Sequence, residues 1–226
     1  MVIPAVFEET TEAATTELKL VGNIAENIQV DIADGQLVLG KTFTDLGFLV
    51  DLDINAKIQL HLMVQKPESF LLALPPNILD VCTQAEVFIH NPMYLENYYN
   101  IIKSKGAKFG LSFKPQTAVE DCEGYVEKCD YIQFMTVDPG GQGKPFVMDV
   151  LNKISSFKDK NPNVFLQTDG GISQETLGMV VRAGADGVVI GSQIFKSPNP
   201  AETYKNFVLQ FDHAHRNFLH STRPQD

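Results

Sequence analysis

The chain has 226 residues, 44% of them hydrophobic, and 18 basic against 28 acidic residues give it a net charge of −10. That size and apolar content suit one soluble globular domain spanning 1–226, and the negative charge argues against nucleic acid or an anionic membrane as partner. No apolar run reaches the ~20 residues of a bilayer span, no basic, cleavable leader opens the chain, and three cysteines (Cys82, Cys122, Cys129) without metal-ligand spacing fit reduced thiols in the cytoplasm.

Short runs rich in β-branched and aromatic residues alternate with longer amphipathic stretches, the pattern of parallel strands joined by helical crossovers. Val2–Phe7 is the first expected strand, followed by a helical stretch over residues 10–27. Ile28–Ile32 is the second, and residues 35–55 read as a loop with a short helix. Ile58–Val64 is the third, with a helix opening at Pro67, where proline is tolerated. Glu86–His90 is taken as the fourth, before a helix over 93–106 closed by Gly106. Lys108–Phe113 is the fifth, with a helix over 116–129. Tyr131–Val137 is the sixth, with a helix over 145–158. Val164–Thr168 is the seventh, and Ser173 is the expected N-cap of the helix over 173–184. Gly187–Ile190 is the eighth, and a helix over 199–218 closes the chain. Eight such units predict an α/β fold of the (β/α)8 barrel type. A doubly wound open sheet is the competitor, but its glycine fingerprint is missing after the first strand, where the chain reads VIPAVFEE.

The strand ends carry the chemistry. Asp31 in IQVDIADG and Asp169 in VFLQTDGG end strands two and seven, on different sides of a closed ring. Two such carboxylates can divide labour as base and acid across a small substrate, moving a proton off one face of a carbon and onto the other. The competing reading is that each aspartate only caps a helix or braces a turn before glycine. Asp34, in an Asp-Gly pair, fits that structural role better. His61, inside the apolar IQLHLMV, is by itself a core histidine; beside two carboxylates it becomes a metal ligand or proton carrier. His90 also ends an expected strand, while His213, His215 and His220 fall on a solvated helix end. Glycine turns follow strands six (MTVDPGGQG), seven (TDGG) and eight (VVIGS). Backbone N–H groups at such turns bind phosphate without lysine.

Taken in order, IPAV, VDIADG, LHLMVQKPE, GLSFKPQT, MTVDPG, TDGGI and GADGVVIGSQIF resemble the ribulose-phosphate 3-epimerase family over nearly the whole chain. The resemblance implies a (β/α)8 barrel of the ribulose-phosphate binding type, inverting C3 of a pentulose 5-phosphate. It implies Asp31 and Asp169 as the acid–base pair that also ligates a divalent metal (zinc, iron or manganese), with His61 as a further ligand. It places Met63 and Met135 beside the enediolate and Gly143, Gly170, Gly171, Gly191 and Ser192 around the phosphate. A homo-oligomer is expected, because family members are commonly dimers or hexamers.

The chain departs from the family at the site. Gln29 stands where the family has a second metal-binding histidine, and an amide is a weaker ligand than imidazole for a zinc-like ion. Ala5 replaces a first-strand serine, Ala33 replaces a third pocket methionine, and the loop reads PGGQGKPF in place of PGFGGQ. Two alternatives to an epimerase follow. One is a lyase or aldol-type enzyme on the same barrel; such enzymes carry D-x-K-x-x-D, whereas here Asp31, Ile32, Ala33 and Asp34 run without the lysine. The other is a non-catalytic sugar-phosphate binder that has lost the metal site.

Overall fold

A computed structural model describes residues 1–122 and 124–221, with Cys122 and residues 219–221 described by backbone alone, so the Cys122 thiol and the His220 ring lie outside the described groups. Eight parallel strands close in sequence order: β1 (Val2–Val6), β2 (Asn27–Ala33), β3 (Lys57–Met63), β4 (Asp80–Gln84), β5 (Lys108–Phe113), β6 (Tyr131–Met135), β7 (Leu166–Asp169) and β8 (Gly187–Ile190). Around them lie α1 (Thr11–Val21), α2 (Glu68–Leu72), α3 (Pro92–Ser104), α4 (Val150–Lys160), α5 (Leu177–Arg182), α6 (Ser192–Phe195) and α7 (Pro200–Ser221). The expected (β/α)8 barrel is present. No helix among the described residues is long and apolar enough to cross a membrane.

The helices form for local reasons and are held by one apolar face. Thr10 caps α1 by accepting from Ala13 N at 3.2 Å, and Ala14, Leu18 and Val21 fall at helical spacing and are fully buried. Burying a leucine such as Leu18 contributes about 2 kcal/mol, and Leu18→Ala at this face would cost about 2–5 kcal/mol. Asn91 caps α3 by accepting from Tyr94 N, Pro92 occupies its first turn, and Gly106 at φ +71° lets the chain leave it.

Two readings of the sequence are corrected. The fourth strand is Asp80–Gln84, not Glu86–His90; residues 85–87 form a 3-10 turn, and Phe88 packs on the rings of Tyr94 and Tyr98 at 5.1 Å. His90 is consequently exposed. The stretch 116–129 is not a helix but two 3-10 turns, Val119–Cys122 and Val126–Lys128, separated by Gly124 at φ +85°, a backbone conformation that a helix cannot contain.

Outside the barrel wall, the main core fills the space between strands and helices. Inside it the filling is largely polar, apart from a small apolar cluster of Ile3, Ala5 and Val189. Gln29, Gln59, Gln84, Gln133 and Gln167 come from five different strands, all at most 3% exposed, together with His61 and Ser112. The register stacks Gln29 beside Gln59 and Gln133 beside Gln167, with Asp31 beside His61 and Met135 beside Asp169 one layer above.

Candidate active site

The site follows from strand periodicity. Side chains two residues apart share a face, so Gln29 and Asp31, Gln59 and His61, Gln133 and Met135, and Gln167 and Asp169 form inward pairs whose second member is nearer the C-terminal mouth. Asp31 and Asp169 are each 7% exposed and His61 is fully buried. His61 Nδ1 lies 3.0 Å from Asp31 Oδ1 and 3.5 Å from Asp169 Oδ2. The two aspartates therefore converge at the floor of the pocket, closer together than their separation on the ring suggests.

Gln29 joins them. Its Nε2 donates to Asp31 Oδ1 at 2.7 Å and to Asp169 Oδ2 at 2.8 Å, and lies 3.3 Å from His61 Nδ1. Behind it, Gln59 Nε2 donates to Gln29 Oε1 at 3.3 Å. A second amide arm reaches Asp169: Gln133 Nε2 donates to its Oδ2 at 3.0 Å, and Gln167 Nε2 donates to Gln133 Oε1 at 2.6 Å. Gln84 is best satisfied with its oxygen 3.1 Å from His61 Nε2 and its NH2 on Glu86 and the Ser112 carbonyl. That arrangement lets Nε2–H donate to Gln84, while the 3.0 Å approach of Nδ1 to Asp31 Oδ1 is a hydrogen bond when Nδ1 carries a proton as well, as it does in the imidazolium.

The electrostatics separate the site's protonation states. Burial, reinforced by the charge of Asp31, pushes the Asp169 carboxyl up to about 7, against the opposing pull of His61 and the Gln29 amide. Burial alone would lower the His61 pKa, but its hydrogen bond to Asp31 and the charges of both aspartates outweigh burial and raise it. A carboxyl that exchanges its proton near neutrality is the kind of group general acid–base catalysis uses.

Above the carboxylates opens a pocket lined by Ala5, Phe7, Met63, Met135 and Val137 on its apolar side, and by the 139–143 loop, Gly170, Gly191 and Ser192 on the other. Asp31 and Asp169 line it too. Each commits one oxygen to the amide network, which leaves its second oxygen for the pocket. Gly143, Gly170, Gly191 and Ser192 are thus gathered at one mouth. Gly171 is not among the lining residues; at φ +62° it packs against Val137 and Phe146. Ala33 is buried beside Met63 and Val38. Asp34 braces a turn, with Oδ1 accepting from Gln36 N and Leu37 N and Oδ2 from Gln65 N, and Gly35 follows at φ +73°. His213 is exposed and His215 stacks on Phe211, so neither belongs to the site.

Sequence reasoning did not single out Gln59, Gln84, Gln133 or Gln167. Three of these glutamines have a signal: IQVD, IQLH, YIQFM and LQTD repeat a glutamine two residues before a site residue.

Asp31, His61 and Asp169 form a group that could hold a metal ion, with ligand atoms all within 4.8 Å of one another. One imidazole nitrogen and two carboxylate oxygens are a donor set that suits a borderline or hard divalent cation. By position and donor chemistry these residues fit such a group.

A closed barrel with buried ionisable groups and glycine turns at its C-terminal mouth is the arrangement in which (β/α)8 enzymes place their active sites. The comparisons narrow that class. Residues 2–195 match the model of the Ribulose-phosphate 3 epimerase family, and the chain belongs to that family. It is 30% identical over 179 residues to a ribulose-phosphate 3-epimerase of Aquifex aeolicus (strain VF5), covering 76% of this chain and 78% of that protein. It is 29% identical over 204 residues to one of Bacillus subtilis (strain 168), covering 86% and 91%. Among solved structures, 3-hexulose-6-phosphate synthase from Salmonella typhimurium superposes with a TM-score of 0.69 at 13% identity, covering 95% of this chain and 99% of that one, a likeness of fold alone.

Proposed function

We propose that this chain is a sugar-phosphate epimerase that inverts C3 of a ketose phosphate, such as ribulose 5-phosphate and xylulose 5-phosphate, with Asp31 and Asp169 as the proton-transfer pair. The observation that carries the reading is that carboxylates from β2 and β7 meet at one pocket floor, with Asp169 pushed up to about 7. In one direction the ionised carboxylate takes the C3 proton, the C3–H electrons become the C2–C3 double bond, and the C2 carbonyl becomes an enolate. The protonated carboxyl then returns a proton to the opposite face of C3. The reverse reaction exchanges the two roles.

Enolate charge needs stabilisation in place before the proton moves. Here the NH2 groups of Gln29 and Gln133, themselves held by Gln59 and Gln167, fix the inner oxygens of Asp31 and Asp169, so the carboxylates that line the pocket are oriented before substrate arrives. Asp31, His61 and Asp169 would hold zinc, iron or manganese; when bound, such a cation supplies Lewis-acid neutralisation of the enediolate oxygens. Met63 and Met135 wall the reacting carbons with apolar surface that keeps water out. Backbone N–H groups at Gly143, Gly170, Gly191 and Ser192 are read as the phosphate site, with Gly171 packed behind it. A cytoplasmic location rests on the cysteine reading, and a homo-oligomer on the family. A lyase of the D-x-K-x-x-D kind lacks its base here, since Ala33 is buried against Met63 and no lysine stands between Asp31 and Asp34.

The test is proton NMR of the purified protein with ribulose 5-phosphate in D2O, with and without divalent metal. Loss of the C3 proton signal with appearance of xylulose 5-phosphate is expected. A folded protein that exchanges no C3 proton under either condition would refute the epimerase reading for this substrate.

A further inference from the structure

Gln29 touches all three metal-holding groups, and its amide has two unlike ends. The NH2 faces inward because both of its close partners, at 2.7 and 2.8 Å, are carboxylate oxygens that accept. Turned over, the amide oxygen would face those same oxygens, an arrangement that a cation between them makes favourable. A cation has the opposite demand: the NH2 offers it no lone pair, whereas the amide oxygen is a ligand. The orientation of Gln29 is therefore a two-state element. What biases it lies outside the site: Gln59 Nε2 donates to Gln29 Oε1 at 3.3 Å, from a residue only 3% exposed and paired with Gln29 in the β2–β3 register.

Resting on the reading of Asp31, His61 and Asp169 as the metal-holding group, we propose that Gln59 sets the cation affinity of this site by holding Gln29 with its NH2 inward. Cation entry turns the Gln29 amide over, so that its Oε1 joins the ligands and its NH2 meets the NH2 of Gln59, which breaks the hydrogen bond between the two amides. Gln59 is a positioning residue. Its hydrogen bond opposes the turn, and removing that bond makes the cation-ready orientation easier to reach. Replacing it with a group that only accepts favours the turned amide outright.

The experiment is a calorimetric titration of chelator-stripped protein with Mn2+ alone and with Zn2+ alone, with the visible absorption of added Co2+ as a second readout. Gln59→Met is expected to tighten binding about fivefold, the effect of one neutral hydrogen bond. Gln59→Glu keeps the size of the side chain and is expected to tighten it further. In a Gln29→Leu background the Gln59→Met gain should vanish, and most of the Gln59→Glu gain with it, because only the added charge would persist. Gln29→Leu alone should bind more weakly than wild type and change the Co2+ spectrum. Binding unchanged within twofold in both Gln59 variants, while Gln29→His tightens it, would overturn the proposal. So would a Gln29→Leu protein that binds as tightly as wild type. If neither wild type nor Gln29→His takes up a cation, this proposal and the metal-holding assignment fall together. The epimerase reading, scored separately by C3 exchange, would still stand.

Discussion

Gln133 places an amide NH2 3.0 Å from Asp169 Oδ2, on the same oxygen that Gln29 contacts at 2.8 Å. Two neutral donors on one buried oxygen favour the ionised carboxylate, against the burial that pushes it up to about 7. Removing the Gln133 donor leaves burial less opposed. Gln133→Leu is expected to move the acid limb of the pH profile of kcat/KM upward by about one pH unit, the worth of one hydrogen bond to a charged group. A purely structural lesion would lower activity at all pH values without moving the limb.

Asp31→Asn and Asp169→Asn keep an oxygen that can accept from Gln29, so the pocket floor should hold. Each removes half of the proton-transfer pair. Turnover is expected to fall about 10²–10⁴-fold, while substrate affinity measured by calorimetry changes little. A variant that kept near-native turnover would remove that aspartate from the acid–base pair.

The Gly40–Gly140 contact couples two rim loops. A Cβ at Gly40 would meet the Gly140 carbonyl oxygen at 2.4 Å and the Phe7 ring at 2.8 Å, and Gly140 sits at φ +89°. Gly40→Ala is expected to push the 139–143 loop off the mouth and raise KM about tenfold, in line with typical overpacking costs. Steady-state kinetics checks this: KM should change more than kcat, because the displaced loop lines the pocket but carries neither aspartate.

Stability should respond to Asp80 on the barrel's N-terminal side. Burial pushes its carboxyl up to about 6, although the Tyr131 hydroxyl at 2.5 Å and Lys108 favour ionisation. Between the ordinary carboxylate value of 3.8 and about 6 the folded chain binds more protons at this site than the unfolded chain, so its contribution to stability is lost as pH rises through that window. Asp80→Asn still accepts from Tyr131 and cannot ionise. It should flatten the fall in Tm between pH 4 and 6, and an unchanged slope would show that Asp80 is not its source.

How far the chain could be read depends on which face each residue occupies. Asp31 and Asp169 stood out because each ends an apolar run before a turn, and barrels put reacting groups at strand ends. The fourth strand escaped because DVCTQ looks polar. Cys82 and Gln84 turn into the barrel, and outward-facing Thr83 is satisfied by the Tyr98 hydroxyl at 2.9 Å, so none of them needs water. EVFIH looked more like a strand, yet Phe88 is buried against α3 from a turn. The glutamines were hidden for a related reason. In a strand pattern a polar residue between apolar ones signals solvent, whereas here the alternate face is a closed interior that supplies its own partners.

That self-satisfied interior also governs how the chain can drift. Exchanging Gln133 for an apolar residue strands the Gln167 amide, and exchanging Gln29 strands Gln59, so each single replacement carries the cost of an orphaned partner. Replacing both members of a pair removes donor and acceptor together and is far milder. The milder route through this interior is thus a paired replacement at positions some 30 residues apart in the chain, one β-strand answering the next.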